Sequence, residues 1–170
     1  MKIVVTRAGR FLKNSFPPAL VLAAALSLYG MAYANAQQDV NRLFELHAKL
    51  MPGMTIEAIS EILGSSPAAN HAVGGNASIT RYTWLHGEMG IEAYEVEGTA
   101  HRVTITLPCG SNKNQLQVLN DLTHRGYSKY GSWPLSDPTK NEYYWVKDGI
   151  RFAFSRYNQT TVLSSVTRAR

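Results

Sequence analysis

From residue 39 onward the apolar positions switch between helical and strand-like spacing. Val40, Leu43, Phe44, Leu46 and Leu50 share one face of a helix that Asp39 can cap and Pro52-Gly53 breaks. Ile56, Ile59, Ile62 and Leu63 repeat the spacing behind a second cap, Thr55, with Glu57 in the first turn and Gly64 as the stop. Period-two alternation then predicts strands over residues 79–86, 90–97 and 101–107, with turns at Gly87 and Glu97-Gly98. The order then returns. Leu116, Leu119 and Leu122 mark a helix capped by Ser111 or Asn112 and ended by Gly126. Strands follow over 142–146, from Ile150 through Phe154, and over 161–167, the first two joined by a tight turn at Lys147-Asp148-Gly149. Residues 68–77, with Gly74-Gly75-Asn76, and residues 131–141, with Pro134, Asp137 and Pro138, read as loops.

Four landmarks recur in this pattern. Gly64 is followed 18 residues later by Tyr82-x-Trp84, then by Gly90-Ile91, then by Val103 twelve positions past Ile91. Gly126 is followed 17 residues later by Tyr143-x-Trp145, then by Gly149-Ile150, then by Val162 twelve positions past Ile150. The shared order and spacing predict one small unit used twice. A unit of about 60 residues buries little core alone, so the copies are expected to pack as one body. The expected fold class is α+β. It comprises two similar units, residues 37–110 and 111–170, each with helices followed by an antiparallel β-meander and with the helices on one sheet face.

The stretch Pro52-Gly53-Met54-Thr55, Ile59, Ile62-Leu63-Gly64-Ser65-Ser66-Pro67 and Tyr82-x-Trp84 resembles the SmpA/OmlA family and the related β-lactamase-inhibitor-protein-like domains. The resemblance covers residues 52–107 directly and 112–168 through the internal repeat. It implies helices layered on an antiparallel sheet, and non-catalytic work by protein–protein contact. SmpA/OmlA members are small outer-membrane lipoproteins that help assemble barrel proteins, and this chain lacks their lipid-bearing cysteine. Tandem copies resemble the inhibitor type more, in which joined sheets offer a concave surface to a target enzyme.

The first 36 residues change the reading of the charge. Lys2, Arg7, Arg10 and Lys13 precede an apolar run over 19–28 that is too short to span a bilayer comfortably. Small residues at Ala32, Ala34 and Ala36 then supply a cleavage context, so residues 1–36 read as a signal peptide cut near Ala36, with Ala34 the second choice. The alternative is an uncleaved anchor. The expected location is periplasmic or secreted, with no stable membrane anchor after cleavage. The whole chain is +5, but all four cations before residue 37 leave with the signal. The remaining 13 Lys and Arg nearly balance 12 Asp and Glu, which removes the main support for nucleic-acid binding. What remains is uneven: residues 37–107 hold 4 cations and 8 anions, and residues 108–170 hold 9 cations and 4 anions. Such a dipole can orient a partner, unless both regions are simply solvated.

Little here resembles catalytic chemistry. His47, His71, His86, His101 and His124 show no metal-ligand spacing, and no metal or other cofactor is expected. Cys109, the single cysteine, lies in Leu107-Pro108-Cys109-Gly110, so an internal disulfide is impossible. It is either buried or free to pair between molecules. Glu88, Glu92, Glu95 and Glu97 fit the solvated side of a hairpin. Aromatics are the stronger signal. Tyr127, Tyr130, Trp133, Tyr143, Tyr144, Trp145, Phe152, Phe154 and Tyr157 crowd into 31 residues. Trp84 and Trp145 are expected as a core pair. Alternation places Tyr144 opposite Tyr143 and Trp145. Tyr130, Trp133, Tyr144 and Tyr157, beside Arg151 and Arg156, are expected to form an exposed aromatic–arginine binding surface. The chain thus reads as a non-catalytic module binding another envelope or secreted protein, with an envelope assembly role or a small hydrolase as alternatives.

Overall fold

The computed structural model describes residues 37–73 and 79–169. The expected signal peptide, residues 1–36, and the Gly74-Gly75-Asn76 stretch lie outside the described residues. Residues Ala36–Arg170 make up one compact unit. Three helices and one eight-stranded sheet build it. Helix α1 covers residues 37–49, α2 covers Ile56–Leu63, and α3 covers Asn112–Tyr130. The strands are β1 Ala69–Val73, β2 Ile79–His86, β3 Met89–Val96, β4 Thr99–Pro108, β5 Leu135–Asp137, β6 Glu142–Lys147, β7 Ile150–Arg156 and β8 Thr161–Arg168.

All neighbouring strands are antiparallel, in the order β1-β2-β3-β4-β8-β7-β6-β5. Each half of the chain contributes a four-stranded meander, and the halves join where β4 lies beside β8. Hairpin chemistry sets the meander registers. Glu97-Gly98 and Asp148-Gly149 both take positive φ, the paired left-handed conformation that tight two-residue hairpins require.

All three helices cover the same face of the sheet. Leu43 and Leu50 of the α1 segment, Ile59 and Leu63 of α2, and Leu119 and Leu122 of α3 are buried against Trp84, Ile91, Val103, Ile105, Trp145, Phe154 and Val162. Trp84 and Trp145 are each 3% exposed, so both tryptophans are core residues. The cap expectations hold at Thr55 and Ser111, whose side chains accept from Ala58 N–H and Asn114 N–H. Gly64 closes α2 in a left-handed conformation at φ 68°.

Four expectations need correction. Asp39 does not cap α1, which already covers residue 37 onward. Helix α3 does not end at Gly126 but runs on to Tyr130, with Gly131 as its left-handed cap. Gly126 is buried, and a Cβ built there falls 2.3–2.8 Å from three ring carbons of Trp145. This glycine therefore lets helix and sheet approach closely. Both presumed loops also contain a strand: β1 lies within residues 68–77 and β5 within 131–141. Each is the outermost strand on its side of the sheet.

Candidate functional site

The face of the sheet away from the helices carries the outward-alternating residues of every strand. Register arranges them in rows across the sheet. One row runs Arg81, Tyr94, Arg102, Thr167, Arg151 and Val146, from β2 through β3, β4, β8 and β7 to β6. The next runs Thr83, Glu92, Thr104, Ser165, Ala153, Tyr144 and Leu135. A hollow of about 1060 Å³ lies over this face, lined on its floor by Thr104, Ser165, Thr167 and Leu163. Tyr94 and Arg102 border it from the β3–β4 side, and Tyr144, Arg151 and Tyr157 from the other.

Two arginine–tyrosine stacks face each other across the hydroxyl floor. The Arg102 guanidinium lies 4.1 Å from the Tyr94 ring centre, and that of Arg151 lies 4.0 Å from the Tyr144 ring centre. Carboxylates fix both arrangements. The Tyr94 hydroxyl donates to Glu92 at 2.8 Å, and Arg81 pairs with the same carboxylate at 3.7 Å. Arg151 donates from Nη1 to Glu142 Oε1 at 3.1 Å, while its Nη2 lies 2.9 Å from Oε2. Glu142 is only 7% exposed, so removing Arg151 would leave a buried carboxylate without its cation. Near the edge, Asp137 accepts from the Thr139 hydroxyl at 2.6 Å and pairs with Lys140 at 3.3 Å. The Thr139 hydrogen bond, followed by Lys140, holds the Asp137 carboxyl below its ordinary value.

The six residues expected to share one surface are distributed over four places. Tyr144, Arg151 and Tyr157 line the hollow. Tyr130 belongs to the helix-side core, stacked on Phe152 at 4.8 Å and beside Trp145 at 5.3 Å. Burial pushes its phenol pKa up, and its hydroxyl has no partner. Arg156 turns its guanidinium toward the start of α3, donating to Gln115 Oε1 at 3.0 Å and Asn112 Oδ1 at 2.9 Å. Trp133 is exposed beyond the end of α3, stacked on Tyr127 at 4.7 Å. Alternation explains the separation, since Arg156 shares its parity with Phe152 and Phe154 rather than with Arg151. The face is consequently less aromatic than expected, with Tyr94 and Tyr144 as its principal rings. The Tyr94–Arg102 pair was missed, although both residues stood on the polar side of their strands.

A serine and a histidine do meet, but in the core. His47 and Ser164 are each 0% exposed, and His47 Nδ1 lies 2.5 Å from Ser164 Oγ. Phe152 and Phe154 enclose the imidazole at 5.5 and 4.5 Å, and its Nε2 has no partner. Burial, then the charge of Lys129, lowers its pKa to about 3, so it is neutral. With no access for substrate, this pair is a packing device that ties α1 to β8. Cys109 is half-buried, its thiol pKa is raised by burial, and its Sγ donates to the Leu107 carbonyl at 3.4 Å. Among the described residues no group of three His, Cys, Asp or Glu side chains gathers as a metal site. None of the described helices is long and apolar enough to cross a membrane.

No family model, curated protein or solved structure matches this chain.

Proposed function

We propose that the chain is an exported, non-catalytic protein-binding module of the inhibitor, immunity or assembly-chaperone type, and that it binds through the open face of its sheet. One observation carries this reading: the hollow over that face, bounded by the Tyr94–Arg102 and Tyr144–Arg151 stacks. Tyrosine and arginine are enriched where interfaces concentrate their binding energy, because each buries a large area while keeping directional polar contacts. Both stacks are held in place before any partner arrives, so little side-chain freedom is lost on binding. The basic n-region and short apolar run before Ala36 support export.

The reading includes a repeated architecture. Helix α2 with β1–β4, and α3 with β5–β8, each run from a helix into a four-stranded meander, and the strand order mirrors outward from the β4–β8 pair. Gly64 and Gly126 do different jobs, so the likeness lies in the meanders. A tandem arrangement agrees with the resemblance to inhibitor-type domains read from the sequence.

The test is affinity capture from envelope and secreted fractions, with the retained protein identified by mass spectrometry. One stoichiometric partner is expected. It should be lost when Tyr94→Ala and Tyr144→Ala are combined and kept when Trp133→Ala is made, with melting temperatures nearly unchanged in both. Loss with Trp133→Ala alone would move the binding surface to the end of α3.

A further inference from the structure

The charges bordering the hollow do not balance. Its carboxylates, Asp137 and Glu142, are already engaged by Lys140 and Arg151. Arg156 turns away to Gln115 and Asn112. Arg102 remains, exposed and not within ion-pair distance of a carboxylate among the described residues. Arg168, the residue after Thr167, has the helix-side parity of Val162, Ser164 and Val166, and its Nη2 lies beside Gly53, so it does not share the open face with Arg102.

Arg102 is also positioned in advance. Its guanidinium carbon lies over the Tyr94 ring, Tyr94 is hydrogen-bonded to Glu92, and Glu92 is braced by Arg81. With no carboxylate within ion-pair distance, its N–H groups remain for an incoming group. A planar fork of N–H donors matches a carboxylate, which can accept two parallel hydrogen bonds. Thr167 separates Arg102 from Arg151 in the same row, so the two Cα atoms lie about 10 Å apart, two strand spacings. The small hydroxyl side chains between them let a partner backbone come close and hydrogen-bond to the floor.

We propose that the occupant of this hollow is an acidic segment of a partner protein, seated with a carboxylate on Arg102 and steered there by that uncompensated charge. This rests on the open-face reading above and names the partner's chemistry.

The test is selection of short random peptides displayed on phage, against the immobilised protein purified from cells expressing the full chain. The proposal expects enriched sequences rich in Asp and Glu, with binding that weakens as salt rises. Arg102→Gln should weaken such a peptide about tenfold or more. Arg102→Lys should recover part of that loss, and Lys147→Gln, outside the hollow, should change nothing. Melting curves of the variants confirm that the fold is retained. Enriched peptides lacking carboxylates, yet lost with Tyr94→Ala and Tyr144→Ala, would overturn the acidic partner while leaving the open face as the binding surface. No enrichment, or peptides indifferent to every substitution on the face, would overturn both. Self-association abolished by Arg102→Gln would also overturn the proposal, since a second copy would then be the occupant.

Discussion

His47 illustrates how one buried side chain sets a condition on the whole fold. The unfolded chain binds a proton at His47 near pH 6.5, whereas the folded chain does so only near pH 3. Between those values the unfolded state holds more protons, so stability falls as the pH drops from 6.5 toward 3 and is flat with respect to this group above 6.5. The total effect is on the order of a few kcal/mol. Denaturant melts across that range should show the slope in the native protein and a much shallower one in His47→Leu. An unchanged slope would assign the acid sensitivity to other groups. Ser164→Ala should cost about 1–3 kcal/mol, because both imidazole nitrogens would then be buried without a partner. An equal cost in the His47→Leu background would show that the pairing contributes nothing.

At the scale of elements, α3 shows where sequence patterning and packing diverge. Propensity alone makes Gly126→Ala favourable by about 1 kcal/mol in a helix interior. The Trp145 ring occupies the space the new methyl needs, so the substitution should instead destabilise by about 1–3 kcal/mol. A stabilised Gly126→Ala would mean that helix and sheet can separate without loss. The same glycine explains the misread helix end, because close approach and chain termination both select glycine and only the neighbouring ring tells them apart. The caps at Thr55 and Ser111 and the Asp148-Gly149 turn were legible because their cause is local. Strands β1 and β5 were not: Ala69–Val73 carries weak alternation, and Leu135–Asp137 is three residues between two prolines. Edge strands have one partner and need little apolar pattern. In the candidate site, the Glu97-Gly98 turn alone would pair Tyr94 with His101. An irregularity at Tyr94/Glu95 shifts the register by one and brings Arg102 opposite instead. A bulge of this kind leaves no clear trace in composition, which is why half of the site escaped the sequence. Tyr144 and Arg151 were legible because their hairpin has no such shift.

For the molecule as a whole, the seam between β4 and β8 decides whether it behaves as one body or two. Helix-side residues from both meanders, Ile105 and Val162 among them, share a single core with all three helices. Ile105→Ala should therefore cost about 2–5 kcal/mol and lower the stability of both halves together. Trp84 and Trp145 sit one in each meander and report this directly. Fluorescence melts of variants keeping only one tryptophan should coincide, and two separated transitions would make the halves independent. The position of β8 has a further consequence for the timing of folding. It follows the other seven strands in the chain, yet it lies in the middle of the sheet, between β4 and β7. On a ribosome, the first four strands emerge with an unsatisfied edge at β4, and their neighbour is made last. Chains stalled before Thr161 should remain protease-sensitive throughout residues 37–110. The sheet of such a chain can close only once β8 has been made.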